Sequence, residues 1–341
     1  MDMHPGLLAL VGFGVINFML ISASCLVYAE RKVSAYIQNR PGPNRVGPAG
    51  FFQPFADVFK LVFKEDTVPE GASKFVHSLA PVVMVVIAMT VPALIPYARG
   101  FVIVDSGVGV LIILALTSVS VYGVTLAGWS SNSKFSLLGG LRSSAQMISY
   151  ELSMGLAVAS VVITAGTLSV VEIVEDQAMG GAILGWNFFR NPIGALLFII
   201  TAFAETNRAP FDLPEAEQEL VGGYHTEYSG MKFGMFFLAE YVNWFVASFV
   251  IATLFFGGYL IPFEPQLIAA FPALEGSLWL SLLQVGSLLA KVAFFGFLFL
   301  WVRWTLPRFK YNQLMQIGWK VLLPVALVNV LLMAVIVALF S

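Results

Sequence analysis

The chain has 341 residues, 58% hydrophobic and 11% charged, with a net charge of −2 and a mean hydropathy of +0.85. Water-soluble domains carry about 25% charged residues, so the composition points to an integral membrane protein and excludes a nucleic-acid surface built on basic charge. One cysteine, Cys25, and three scattered histidines, His4, His77 and His225, exclude an iron–sulfur cluster or bis-histidine haem held by this chain alone.

There is no GxGxxG after a strand and no GxxxxGK[ST], so the sequence carries no recognisable nucleotide, flavin or metal site. The opening MDMHPG lacks Lys and Arg. The first apolar run, 6–28, therefore reads as a retained span rather than a cleaved signal. It ends near Glu30.

The next segment, RKVSAYIQNRPGPNRVGPAG, sets Pro and Gly among cations and reads as a shaped loop rather than a helix. In FFQPFADVFKLVFK, residues 51–64, Phe52, Phe55, Phe59, Val62 and Phe63 recur at helical spacing. Asp57, Lys60 and Lys64 share the other face. This is an amphipathic interfacial helix, too short to span. Two readings stand for it: a membrane anchor, or one wall of an opening from lipid into a site.

Further apolar runs fall at 77–97, 107–129, 145–166, 189–204, 232–257, 279–302 and 319–340. A bilayer core needs about 20 apolar residues per helix. The run 189–204 is the weakest, with Arg190 and Pro192 at its start. The expected fold is a single all-α membrane domain over 1–341, with eight spans and one interfacial helix. Fifteen of the eighteen Lys and Arg fall on the odd-numbered loops or the adjoining span ends. The positive-inside rule then makes those loops cytoplasmic and places both termini outside. No internal repeat or domain boundary is evident.

An ionisable residue in a span costs about 2.5–3.5 kcal/mol on insertion scales and is a functional candidate by default. Glu30, Glu151 (in the first turns of its span), Glu205, Glu240 and Lys291 qualify; Lys291 has no assigned role.

The stretch AETNRAPFDLPEAEQELVGGYHTEY, residues 204–228, holds six carboxylates: Glu205, Asp212, Glu215, Glu217, Glu219 and Glu227. Asp212-Leu-Pro-Glu215 has the form of a helix start with a capping box. Glu215 and Glu219 are spaced i,i+4 with no cation between them, so they repel. A solvated acidic loop and a set of proton carriers are equally consistent with this composition. With Glu151 and Glu240 inside the bundle, the acids form a line such as a proton or charge relay would need.

Four stretches resemble the quinone-chamber membrane subunit of NADH-quinone oxidoreductase, the bacterial respiratory complex I. They are AERKVSAYIQNRPGPNRVGPAGFFQPFADVFKLVFKED (29–66), LRSSAQMISYE (141–151), AETNRAPFDLPEAEQELVGGYHTEYSGMKFGMFFLAEY (204–241) and LPRFKYNQLMQIGWKVLLP (306–324). The resemblance implies an eight-span subunit at the heel of an L-shaped complex in a cell membrane. Its partners would be the hydrophilic quinone-site and terminal iron–sulfur subunits and the small subunits of the membrane arm. FMN and the iron–sulfur clusters would lie on those partners, with quinone as substrate and no cofactor on this chain.

Carried over by motif, Arg31, Asp57, Arg208, Phe211 and Asp212 are candidates for the quinone cavity. Glu205, Glu215, Glu217, Glu219, Glu227, Glu151 and Glu240 are candidates for a glutamate-rich passage towards the membrane arm. The last motif departs from the family at Lys310, where Arg is expected, and at Asn312, where Asp is expected. Lys keeps the charge without the bidentate fork, and Asn312 removes a negative charge from that loop. Rival readings are the membrane subunit of an energy-converting hydrogenase or formate hydrogenlyase, a self-contained transporter, and an assembly scaffold.

Overall fold

The computed structural model describes residues 5–179, 182–212 and 221–340. Among them the regular structure is helical, apart from an isolated bridge between Ala98 and Phe101. Helix α1 runs Pro5–Ile37 over 33 residues, about 50 Å at ~1.5 Å per residue. That exceeds a ~30 Å hydrocarbon core, so its last turns, with Glu30, Arg31 and Lys32, need not sit in lipid.

The helix also takes in residues 31–37, where the sequence suggests the start of the loop. Nothing in RKVSAYI breaks a helix; the first breakers are Pro41, Gly42 and Pro43. The loop proper then folds back on α1, and Tyr28 Oη donates to Ala49 O at 3.1 Å. Gly50 makes this possible. Its φ is +80°, and a Cβ there would lie 2.2 Å from Pro43 O.

Helix α2 is Gln53–Phe63. Pro54 is buried, whereas Phe55, Phe59, Val62 and Phe63 are exposed along an apolar face. Helices α3 (Lys74–Thr90), α4 (Gly109–Ser130) and α5 (Lys134–Ala165) follow. Helix α5 begins well before the expected 145, because the mixed stretch 134–144 belongs to the same helix. Glu151 is therefore mid-helix rather than in the first turns. Gly166, at φ +69°, ends α5.

Helix α6, Val170–Met179, has no counterpart among the apolar runs. Glu172, Glu175 and Asp176 make it look like a loop, but it buries Ile173, Val174 and Gln177 on one side. A helical turn at Asn187–Arg190 precedes α7, Pro192–Glu205. Asn191 caps α7 by accepting from Gly194 N at 2.9 Å.

Helix α8 is Gly230–Phe255, α9 is Glu264–Ala270, and α10 is Leu278–Thr305. Helix α11, Tyr311–Ile317, passes through a π-helical turn, Gly318–Leu322, into α12, Leu323–Phe340.

Seven helical stretches among the described residues are long and apolar enough to cross a membrane. The chain is an all-α, multi-pass membrane protein. The expected fifth span is different: α7 has 14 residues, about 21 Å. Its approach is broken at Asn191–Pro192.

Helix α5 packs against α4, α7 and α12. Its buried face is rich in small residues, among them Ser136, Gly139, Gly140, Ser143, Ser153 and Ala157. Small residues let membrane helices approach closely, where hydrophobic contrast with lipid is absent. Gly140 meets Gly128 of α4, and Gly139 meets Gly223. A Cβ on Gly139 would lie 2.7 Å from Gly223 Cα. Gly139→Ala is therefore expected to destabilise the subunit by ~1–3 kcal/mol, read as a lower melting temperature of the purified complex. Gly155→Ala, with nothing within 4 Å of the added Cβ, is the control expected to leave it unchanged or raised.

The core between α7, α8 and α10 is aromatic: Phe203 stacks on Phe299 at 3.9 Å, and Trp244 lies 6.1 Å from Phe299. Lys291 of α10 is held where α8 ends. Its Nζ donates to Gly258 O at 2.8 Å and Leu260 O at 2.7 Å and sits 4.4 Å over the Trp186 ring.

Candidate functional site

The turn after α7 delivers Arg208 into the bundle. Gln146 of α5 fixes that turn, donating to Ala204 O at 2.9 Å, Asn207 Oδ1 at 3.2 Å and Phe211 O at 2.8 Å. Arg208 is only 5% exposed. Its Nη1 lies 3.2 Å from Glu30 Oε2, and its Nε lies 2.7 Å from Glu240 Oε1. The second contact is an ion pair lying off the N–H axis, since Nε has no aligned hydrogen bond.

The guanidinium also lies 4.4 Å over Tyr241 and 5.1 Å over Trp244, which adds cation–π attraction. Glu30 accepts from Tyr241 Oη at 2.7 Å and pairs with Arg303 through its other oxygen. Beside this group, Arg308 Nη2 pairs with Asp212 Oδ2 at 2.6 Å. Three anions from α1, α8 and the turn after α7 thus meet three cations.

Such a cluster stays ionised only as a set, because each isolated charge would bear its full desolvation cost. Burial opposes the Arg208 charge, but Glu240 and Glu30 outweigh it and raise its pKa. Burial pushes the Asp212 carboxyl upward, against the pull of Arg308, Arg303 and Arg208.

Tyr241 connects this cluster to a crevice of about 280 Å³ between α1, α2 and α8. Ser24, Val27, Val58, Leu61, Phe233 and Phe237 contribute to its walls. Arg31 of α1 and Asp57 of α2 form an ion pair at this crevice, and Gln53 Nε2 donates to Asp57 Oδ1 at 3.1 Å.

A second space lies deeper. A cavity of about 50 Å³ is bounded by residues of α3, α4, α5, α7 and α8. Glu205 faces it together with Thr117, Ser120, Thr206 and Asn243. The Thr117 hydroxyl neighbours the Glu205 carboxyl, and Glu151 is close enough to act on it electrostatically. Glu151 itself accepts a hydrogen bond from Ser118 Oγ.

The family model described as NADH dehydrogenase matches residues 10–334. NADH-quinone oxidoreductase subunit 8 of Rhodothermus marinus is 74% identical over 341 residues, covering 100% of both chains. The NADH-quinone oxidoreductase H subunit of Salinibacter ruber is 74% identical over 333 residues, 98% of this chain and 96% of that one. The chain belongs to the family of NADH-quinone oxidoreductase H subunits. A more distant member, an H subunit from Cytophaga hutchinsonii, is 44% identical over 335 residues, 96% of this chain and 95% of the relative. The chain is thus a multi-pass membrane subunit of an oxidoreductase.

Within this NADH-quinone oxidoreductase subunit, the candidate residues sort into three groups. Arg208, Asp212 and Glu240 come together in the buried cluster, although their motifs point to two different roles. Glu205 lines the deeper cavity, with Glu151 close to it. Arg31 and Asp57 pair at the crevice. Phe211 is placed in the core, 5.5 Å from the Tyr150 ring and 5.6 Å from Phe309. Glu227 stands apart, next to Tyr228, whose ring stacks on His77 at 3.8 Å. Glu215, Glu217 and Glu219 lie outside the described residues.

Sequence reasoning misses Arg303, Arg308, Tyr241 and Asn243, and it leaves Glu30 without a role. Glu30 and Arg308 lie inside the quoted motifs AERK and LPRFKYN, so a signal exists for them. Arg303 counts in the sequence only as a topology charge. Tyr241 closes the third motif, and Asn243 lies just beyond it. At the departure in the last motif, loop 306–310 keeps its ion pair through Arg308; residue 312 is not part of it.

Proposed function

We propose that this chain forms the quinone channel of a proton-translocating NADH:quinone oxidoreductase and links quinone reduction to charge movement in the membrane. The observation that carries this reading is the continuity from the Arg31–Asp57 crevice, through Tyr241, to the buried Glu30–Arg208–Glu240 cluster. The crevice has apolar walls and a charged pair, which suits a quinone with an apolar tail and a polar head.

Electrons reach the quinone from partner subunits that carry FMN and iron–sulfur clusters, and the head is reduced against those partners. Charge appearing there acts on the buried cluster, whose ion pairs have few other ways to neutralise it. Glu240 relays that change towards Glu205 and Glu151, with Glu215, Glu217, Glu219 and Glu227 as further acids of the same path. The odd-numbered loops face the cytoplasm and both termini face outward, supported by the lysine and arginine asymmetry. The α7 segment is the fifth of eight crossings. The subunit spans as one domain.

The test is a complex isolated by a tag on this chain and assayed for NADH-to-quinone reduction with and without a quinone-site inhibitor. Inhibitor-sensitive reduction is expected. Hydrogen or formate chemistry without quinone reduction would move the chain to the hydrogenase reading. In the same assay, Arg31→Ala is expected to raise the quinone KM about tenfold, a loss of ~1.4 kcal/mol of binding, with a smaller change in kcat. An unchanged KM would remove Arg31 from the quinone path.

A further inference from the structure

Asn243 has no assigned role, and its surroundings are unusual. It lies in the middle of α8, just after Glu240 and Tyr241 and before the largely apolar second half of that helix. Its amide makes no hydrogen bond among the described residues. Its side chain instead borders the 50 Å³ cavity, on whose wall Glu205, Thr117, Ser120 and Thr206 are the other polar residues. The rest of that wall is apolar, including Met154, Val158, Phe198 and Val246. Asn243 also follows Glu240 by three residues, so the two share one face of α8 a turn apart. Glu240 is bound to Arg208. Asn243 is therefore one turn from the acid of the buried cluster and on the same cavity wall as Glu205.

From this geometry we infer that Asn243 is a positioning residue that keeps the Glu205 cavity hydrated, so that a short file of water connects Glu240 to Glu205. This rests on the proposed coupling role of those carboxylates. An apolar cavity of this size stays dry, whereas a polar one holds water if each molecule finds two to four partners. At ~10–15 Å³ per molecule, 50 Å³ admits roughly three to five waters. Asn243 offers two donors and one carbonyl acceptor, and the Glu205 carboxyl and the hydroxyls of Thr117 and Ser120 supply the remaining contacts. An amide suits the place because it orients water without itself taking the proton. A carboxylate there would trap it, and leucine, similar in shape but larger and apolar, would dry the link.

The test uses the whole complex in proteoliposomes. Asn243→Leu is expected to lower NADH:quinone turnover and proton pumping together by about tenfold and to raise the solvent deuterium isotope effect on the residual rate. Asn243→Ser, which replaces the amide with a hydroxyl and leaves room for water, is expected to retain more than half of both. Asn243→Ala is measured alongside, so that a Leu variant that does not assemble leaves the test intact, and it is expected to fall below Asn243→Ser. NADH oxidation by ferricyanide, carried out by the hydrophilic partners and measured on the washed proteoliposomes, reports that they remain attached.

Native pumping in an assembled Leu or Ala variant would overturn the inference. So would a Ser variant as impaired as Leu, because that pattern marks a packing role. Glu205→Gln is assayed in parallel: impairment there with normal Asn243 variants sinks only the hydration link, whereas normal activity in Glu205→Gln sinks the coupling reading itself.

Discussion

Arg208→Met is expected to prevent the subunit from accumulating in an assembled complex. The change leaves Glu30 and Glu240 buried, with Arg303 alone to face both. Breaking a buried ionic group by removing one partner costs ~3–5 kcal/mol, a large share of a typical stability margin of about 5–15 kcal/mol. Arg208→Lys keeps a charge but loses the planar fork that reaches Glu30 and Glu240 at once and lies over Tyr241 and Trp244. It is expected to assemble with a lowered melting temperature. Adding Glu240→Gln to Arg208→Met removes the orphaned anion and is expected to recover part of the yield. The readout is the amount of subunit in purified complex, with its thermal midpoint. Normal assembly of the Met variant would show that the cluster is not held as a set.

Glu205→Gln is expected to leave the complex assembled and to cut quinone reduction and proton pumping together by tenfold or more, a rise of ~1.4 kcal/mol in the barrier. Gln fills the same space and can hydrogen-bond with Thr117, so a purely structural Glu205 tolerates it. It cannot bind and release a proton. Glu151→Gln should act the same way, because its carboxyl is close to Glu205 and is fixed by Ser118. The double variant is expected to be little worse than either single one, since two members of one path are not additive. The measurement is NADH-driven acidification in proteoliposomes, with NADH:quinone turnover followed in parallel. Normal pumping in an assembled variant would remove that residue from the path.

The fold is legible where hydrophobicity decides it. Seven of the expected apolar runs coincide with helices long enough to cross a bilayer, because twenty consecutive apolar residues have few other solutions. Boundaries are less legible. Residues 31–37 and 134–144 are interrupted by charged and polar residues, and the second holds Gly139 and Gly140, yet helices run on through both. Helix α6 escapes notice because its three acids hide the apolar face made by Ile173 and Val174.

At the site, sequence locates the acids but not their pairing. Arg208 and Glu240 are 32 residues apart, and Glu30 and Arg303 are 273 apart. No local spacing rule connects them; only the bundle brings α1, the turn after α7, α8 and α10 to one point. Phe211 shows the converse. Its motif suggests a cavity residue, and the structure packs it against Tyr150 and Phe309.

The most direct test of the central claim is redox-induced infrared difference spectroscopy on the purified complex, following carboxyl and carboxylate bands as bound quinone is reduced. If quinone reduction acts on the buried acids, the spectrum contains carboxyl bands that disappear in Glu205→Gln and shift in Glu240→Gln, while the quinone bands persist. Identical carboxyl bands in the native complex and in both variants would contradict a path from the quinone crevice through these residues.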